Sequence, residues 1–334
     1  MKSAKEKGDS TAMKMNGSTA NLNQELYSGL TIEGKWNKKP IRIRKLGEGV
    51  TGTVYLARSL DGNVALKLGM DQMSIAQEVN VLKQFSKVQG KILGPCLFDV
   101  DDHETRVISI PFYAMEYIQG VNFVTFMKNR GSEWLFVLTV QLLNRLEDFH
   151  QAGWVFGDLK PDNIIVTSDE ASVRLLDVGG TTKLGRAVKE YTEYYDRGYW
   201  GRGSRKAEPS YDLFSVAMMM IDCAYPEQIK KGKGDGLSQL KRMVSQSPLL
   251  KPFKDIIVKA LTGEFETAGE MRNALKGERI SRKRKATISD KEVSRNQYKK
   301  VRNHHKKKAR LTDLLFILAF VLLLFILYLS ISLF

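Results

Sequence analysis

The first 31 residues have no hydrophobic rhythm: Lys, Ser, Asn and Gly dominate, and large apolar side chains are few. Such a stretch buries too little surface to offset chain entropy, so residues 1–31 are expected to form a disordered tail. No apolar run follows Met1, so no secretory signal is expected. From Trp36 the pattern changes. Ile41-Arg42-Ile43, Val54-Tyr55-Leu56-Ala57 and Val64-Ala65-Leu66-Lys67 read as strands, and the last two flank Asp61-Gly62, which predicts an antiparallel hairpin. Ile75, Val79 and Leu82 then recur at helical spacing and predict an amphipathic helix. In the second half helices are expected over residues 134–149, 213–221 and around 250–261. Leu142, Leu146, Phe149 and Met218-Met219-Met220 are the expected core of these helices, joined by Trp134 and Trp154. The implied fold class is α+β, a small β-rich lobe ahead of a larger α-rich one, with no internal repeat.

The end of the chain departs again. Its last 21 residues, 314–334, carry no charge, and as a helix they would be about 31 Å long, matching a bilayer's hydrocarbon core. One transmembrane helix is therefore expected over 311–334. The Lys/Arg run before it would hold the body of the chain on the cytoplasmic side of the cell membrane. Charge sharpens this division. The net charge is +15, and residues 276–310 carry fifteen Lys/Arg against Glu278, Asp290 and Glu292. A folded domain over 32–275 is thus followed by a basic juxtamembrane linker over 276–310. Each cation near an anionic lipid surface contributes about 1 kcal/mol, which accounts for the residues nearest the helix. Arg282-Lys283-Arg284-Lys285 lies beyond the roughly 15–20 residues over which orientation signals act. Read as flexible, the linker spans about 30–35 Å, so that cluster has reach for a separate polyanion. With Tyr298 as its one aromatic, it suits phosphate-backbone contacts, as in sequence-independent DNA binding, and not base stacking. Cys96 and Cys223 have no CxxC partner, which argues against a disulfide scaffold or zinc site and predicts two buried thiols. His103, His150, His304 and His305 show no ligand spacing.

Five short polar elements follow one another in a fixed order. Gly47-Glu48-Gly49-Val50-Thr51-Gly52-Thr53-Val54 is a GxGxxGxV loop between predicted strands, where glycines let backbone N–H groups approach phosphates. A dinucleotide-binding turn shares part of this spacing but needs a helix directly after the glycines, and here a strand follows. Lys67, on the strand after the hairpin, can reach α- and β-phosphates, with Glu78 on the next helix as its partner. In Gly157-Asp158-Leu159-Lys160-Pro161-Asp162-Asn163, Asp158 suits acceptance of a hydroxyl proton, Lys160 neutralises γ-phosphate charge and Asn163 offers a magnesium ligand. Asp177, in Leu175-Leu176-Asp177-Val178-Gly179, adds a second carboxylate for metal and phosphates. Positioning and electrostatics supply most of the catalysis in phosphoryl transfer, so these few groups suffice.

Together the elements resemble the eukaryotic-like (Hanks-type) protein kinase family over roughly residues 36–275. The resemblance implies a protein-kinase-like bilobal fold, ATP as phosphoryl donor, and Mg2+ with Mn2+ as a substitute. It implies catalysis by Asp158, Lys160, Lys67 and Glu78, with Asn163 and Asp177 on the metal. The nucleotide would be lined by Gly47, Gly49, Gly52, Val54, Ala65 and Lys67. Ala114-Met115-Glu116-Tyr117-Ile118-Gln119-Gly120 looks like the hinge, with Met115 as gatekeeper and the backbone of Glu116 and Ile118 meeting adenine. DLKPDN favours Ser and Thr hydroxyls of protein substrates, this chain included. More narrowly, FYAMEYI, FGDLKPDN, DVGGTTK and RKAEPSYDLF, with the basic linker and terminal helix, are similar to the YabT-type kinases of spore-forming bacilli. That likeness implies a setting in sporulation and DNA as a ligand of the linker, and DNA bound there is expected to stimulate activity, for instance by gathering kinase molecules.

The departures carry information too. The family's usual HRD reads Phe156-Gly157-Asp158. With no Arg before the catalytic Asp, a phosphate on Thr181, Thr182 or Thr192 lacks that clamp, and such a switch is expected to be weak or absent. No APE motif stands in its usual place. Ala207-Glu208-Pro209 lies just ahead of Asp212, which resembles the Asp opening the family's F helix, so the substrate shelf is expected to be rebuilt and the C-lobe short. DVG for DFG keeps the Asp and the Gly. A Gly before the catalytic Asp and a missing APE also occur in small-molecule and sugar kinases, and a membrane-anchored pseudokinase scaffold is a third reading. Lys160 within DLKPDN favours protein substrates, and the presence of Lys67, Glu78, Asp158, Asn163 and Asp177 favours an active enzyme.

Overall fold

The computed structural model describes residues 31–282, except 33, 35–40, 50, 60, 61, 89, 105, 107 and 226, together with residues 314–322. Residues 1–30 of the expected tail over 1–31 and most of the linker lie outside the described residues, while Thr31 departs from that expectation by pairing with Arg42 in a strand. The chain forms two units, Met1–Leu275 and Lys276–Phe334.

The first unit opens with a six-stranded antiparallel sheet. Its strands are β1 (Thr31–Ile32), β2 (Ile41–Gly49), β3 (Gly52–Ser59), β4 (Gly62–Gly69), β5 (Leu97–Glu104) and β6 (Ser109–Glu116), in the order β1-β2-β3-β4-β6-β5. β3 and β4 pair in register from Ser59↔Gly62 to Gly52↔Gly69, the hairpin that Asp61-Gly62 predicts. Side chains alternate between the faces of a strand, and the two faces build different cores. Leu66, Leu68, Ile110, Phe112 and Ala114 form one cluster. Ala65, Tyr113 and Met115 join the main core with Ile75, Val79, Leu82 and Phe85 of helix α1 (Gln72–Phe85). This is the amphipathic helix expected from the sequence, and the Asp71 carboxylate caps its N-terminus by accepting from Ser74 N at 2.8 Å.

The second half is mainly helical: α2 (Phe123–Met127), α3 (Ser132–Gln151), α4 (Pro209–Asp222), α5 (Gly236–Gln246) and α6 (Lys254–Thr262). Every residue of α4 from Tyr211 to Asp222 is buried, which marks a helix surrounded by protein on all sides. Leu142, Leu146, Phe149 and the three methionines are core, as expected. Trp134 is not. It is 40% exposed at the first turn of α3, where its ring meets Phe126 edge-on at 5.3 Å. Trp154 is half-buried against the main core. The expected buried thiols are also corrected, since Cys96 is exposed and Cys223 only half-buried. The 250–261 segment divides into a 3-10 turn, Lys251–Phe253, and α6. Five short strands complete the unit: β7 (Gly120–Asn122), β9 (Ile164–Thr167) and β10 (Val173–Leu175) in one sheet, and β8 (Trp154–Val155) with β11 (Thr182–Lys183) in another.

In the second unit residues 276–282 are helical, and Arg282 pairs with Glu278 one turn back at 3.1 Å, so the linker is not flexible from its start. Residues 314–322 are helical and exposed. Among the described residues no helix is long and apolar enough to cross a membrane, and the remainder of the expected spanning segment lies outside them.

Candidate active site

The sheet presents a buried ion pair. Lys67 and Glu78 are each 3% exposed, and Lys67 Nζ lies 2.8 Å from Glu78 Oε1 and 2.7 Å from Oε2. Asp177 approaches the same ammonium at 3.6 Å. Val54 stands opposite Lys67 across β3 and β4, and Ala65 opposite Met115 across β4 and β6. The sequence reading missed one member of this group: Tyr113 donates its hydroxyl to Glu78 Oε2 at 2.7 Å. Burial, then the charges of Glu78 and Asp177, push the Tyr113 phenol well above the usual tyrosine range, so it stays protonated as a donor.

Gly47 and Gly49 end β2, and Gly52 opens β3. A Cβ on Gly52 would fall 2.1 Å from the Leu68 carbonyl oxygen, so glycine is required there by the fold itself. At Gly47 a Cβ would meet nothing within 4 Å, and at Gly49 nothing nearer than 3.8 Å. Internal packing gives no reason for these two glycines, whereas close approach of a phosphate group does.

The polar loop after β8 is set by α4. Asp212, fully buried, accepts from Phe156 N and Gly157 N at 2.9 Å each and meets His150 Nε2 at 2.9 Å. His150 Nδ1 has no partner among the described residues. A proton there would be a stranded buried donor, so the geometry favours the Nε2–H tautomer donating to Asp212. Gly157 adopts φ 84°, a left-handed conformation that explains glycine where the family usually has Arg. The loop presents Asp158 with its carboxylate held on both oxygens: Oδ2 accepts from Lys160 Nζ at 2.5 Å and Oδ1 from Thr192 Oγ1 at 2.8 Å. Asn163, in a 3-10 turn, donates its amide to Asp158 O at 2.8 Å. Its amide oxygen and the half-exposed Asp177 carboxylate are hard oxygen ligands of the kind magnesium takes.

The segment after Asp177 carries Thr181, Thr182 and Thr192, where a phosphate switch is expected to be weak or absent. Thr181 and Thr182 are buried, their hydroxyls donating to Val178 O and Gly180 O. Thr192 is half-buried, between Asp158 and Lys160. Val178, in the usual place of Phe, is core. Further on, residues 185–188 run antiparallel to 205–207 as a narrow ribbon, through Gly185 N to Ala207 O, Ala207 N to Arg186 O and Val188 N to Arg205 O at 2.7–2.8 Å. Val188 and Ala207 pin the ribbon against Val155 and Tyr211. Buried Arg197 donates to Ser204 O, Ser210 Oγ and Glu208 Oε1 at 2.7–2.9 Å. The rebuilt shelf is thus an ion-paired loop closed onto the start of α4.

At the expected hinge, Met115 and Ile118 are buried, and among the described residues no hydrogen bond occupies Ile118 N–H. The Glu116 side chain is tied to Arg174 of β10 by two bonds of 3.0 and 2.8 Å, and its N–H donates to Cys96 O. The fold therefore brings Lys67, Glu78 and Asp177 into one cluster and Asp158, Lys160 and Asn163 into another. The expectation at Glu116 concerns its backbone, and its side chain is committed to the ion pair with Arg174.

Comparison with known proteins agrees with this geometry. Residues 41–268 match the protein kinase domain. The chain is 47% identical over 304 residues to the serine/threonine-protein kinase YabT of Bacillus subtilis (strain 168), covering 89% of this chain and 90% of that one. It is also 31% identical over 165 residues to a serine/threonine-protein kinase of Myxococcus xanthus, covering 46% of this chain and 29% of the other.

Proposed function

The chain belongs to the protein kinase family as a serine/threonine-protein kinase, and from that premise we propose how its residues divide the transfer of the ATP γ-phosphate to a protein hydroxyl. Gly47, Gly49 and Gly52 lie over the phosphates, and Val54, Ala65, Met115 and Ile118 bracket the adenine, with the Glu116 and Ile118 backbone as its polar contacts. Lys67, held by Glu78, meets the α- and β-phosphates. Asp158 orients the Ser or Thr hydroxyl and accepts its proton as the oxygen attacks phosphorus. Lys160 offsets charge on the phosphoryl group in transit. Asn163 and Asp177 would hold magnesium, which when bound neutralises phosphate oxygens. The observation that carries this reading is the double restraint on the buried Asp158 carboxylate by Lys160 and Thr192, which fixes the direction of a proton acceptor.

The finer setting is proposed on composition alone: residues 311–334 as a single-pass anchor in the cell membrane, and residues 276–310 as a basic linker that meets anionic lipid and also binds DNA.

An ATP-dependent phosphorylation assay with the full-length protein and its Asp177→Asn variant tests the catalytic reading. Self-phosphorylation or transfer to a generic basic protein is expected for the wild type, falling at least about a thousandfold in the variant as phosphate and metal positioning is lost. Transfer only to a sugar or metabolite would overturn the protein-substrate assignment. Equal transfer by both proteins would overturn the role of Asp177.

A further inference from the structure

The transfer step uses Lys67 and Glu78 but assigns nothing to Tyr113. This residue is 2% exposed and stands opposite Lys67 in the β4–β6 register, so both side chains leave the sheet on the same face. Packing in that core asks only for a phenyl ring. A hydroxyl at this depth has lost its water and is tolerated only with a partner. Its partner is Glu78 Oε2, at 2.7 Å. The carboxylate is thereby held between two donors, Tyr113 from β6 and Lys67 from β4, while a Cβ on Gly179 would already lie 3.1 Å from Oε1. Because Glu78 rides on α1, the bond ties that helix to the sheet. Among the described residues the hydrogen bonds of this tie come from Tyr113 and Lys67 and not from the segment after Asp177, and Gly157 offers no cation to receive a phosphate from it.

We propose that Tyr113 is a positioning residue for phosphoryl transfer: it anchors Glu78, and through it α1 and the Lys67 ammonium, in the phosphate-binding arrangement without any phosphate on the segment after Asp177. The proposal rests on the kinase reading above. With the phenol in place, Lys67 is one of two donors to Glu78 and keeps a side open toward Asp177 and the nucleotide. Without it, Lys67 alone holds the carboxylate, and α1 gains freedom to rotate away from the sheet.

Equilibrium binding of magnesium-ADP and of adenosine to the full-length protein separates this role from a merely structural one. Adenosine lacks the phosphates that face Lys67. Tyr113→Phe is expected to weaken magnesium-ADP binding about tenfold, as for loss of a hydrogen bond to a charged group, and to leave adenosine binding unchanged. In a Glu78→Gln background the same substitution is expected to add no further change in the ratio of the two affinities. Phosphatase-treated wild type is expected to keep the wild-type ratio. Unchanged magnesium-ADP binding in Tyr113→Phe, or parallel loss of both ligands, would overturn the proposal. So would a phosphatase effect as large as the substitution. Wild-type protein that binds neither ligand would instead remove the kinase reading on which the proposal stands.

Discussion

At the scale of single residues, Thr192 has the most exposed role. Its hydroxyl donates to Asp158 Oδ1 and accepts from Lys160, so it fixes the direction of the proton acceptor without touching the nucleotide cluster. Thr192→Val is expected to lower kcat about tenfold or more, the worth of a hydrogen bond to a charged group, with ATP affinity unchanged. Steady-state kinetics with titrated ATP checks both halves of that statement. A phosphate on Thr192 would set like charges against Asp158, so phosphorylation there is expected to inhibit. Lys67, Glu78, Asp158, Lys160, Asn163 and Asp177 were legible in the sequence because charged groups at fixed intervals among apolar runs have little structural use. Tyr113 was not, because an aromatic in an alternating strand reads as packing, and strand periodicity says nothing of what its hydroxyl meets. A polar-tipped side chain on the same face as Lys67 was the available signal.

Length alone did not make an element legible: β5, of eight residues, and α5, of eleven, were not foreseen. The β3–β4 hairpin, α1, α3 and α4 run long enough to set a period, whereas β7–β11 are two to four residues each and leave none. Trp134 was misplaced because α3 begins there, and a helix's first turn need not face the core as its middle does. The ion-paired loop ahead of α4 was foreseen only as a gap where APE should stand. Its stability belongs to two carboxylates. Arg197, and then the Ser210 hydroxyl, hold Glu208 below the usual carboxylate range against burial. Burial opposes the same shift at Asp196, but donation from Arg205, Tyr211, Gly198 and Tyr199 prevails. Both folded values lie below the unfolded ones. The stabilisation is therefore complete above about pH 4.5 and is lost as pH falls through the lowered folded values. Arg197→Ala is expected to cost about 2–3 kcal/mol, less than a fully buried pair because Glu208 is partly solvated, and to open residues 197–208 to limited proteolysis at neutral pH. Wild-type protein is expected to show the same cleavage only in acid.

At the scale of the whole molecule, the composition along the chain separated the domain from its basic and apolar end. Protein lacking 276–334 is expected to keep the thermal transition of the kinase unit and its basal transfer to a soluble substrate. DNA affinity of protein lacking only 311–334 is expected to fall steeply with salt, and to vanish when 276–310 is removed as well. Affinity that is flat in salt or indifferent to that deletion would leave the linker as a membrane element only. Vesicles with and without anionic lipid, offered to the same proteins, test that second use.

Taken as the rebuilt substrate shelf, the ribbon of residues 185–188 and 205–207 would bear on how partners are chosen. Three backbone bonds and the Val188–Ala207 contact assemble this surface before any substrate arrives. A peptide meeting it pays little entropy to order the enzyme's side. Discrimination among peptides should then appear mainly in how long each stays bound, with arrival rates nearly alike.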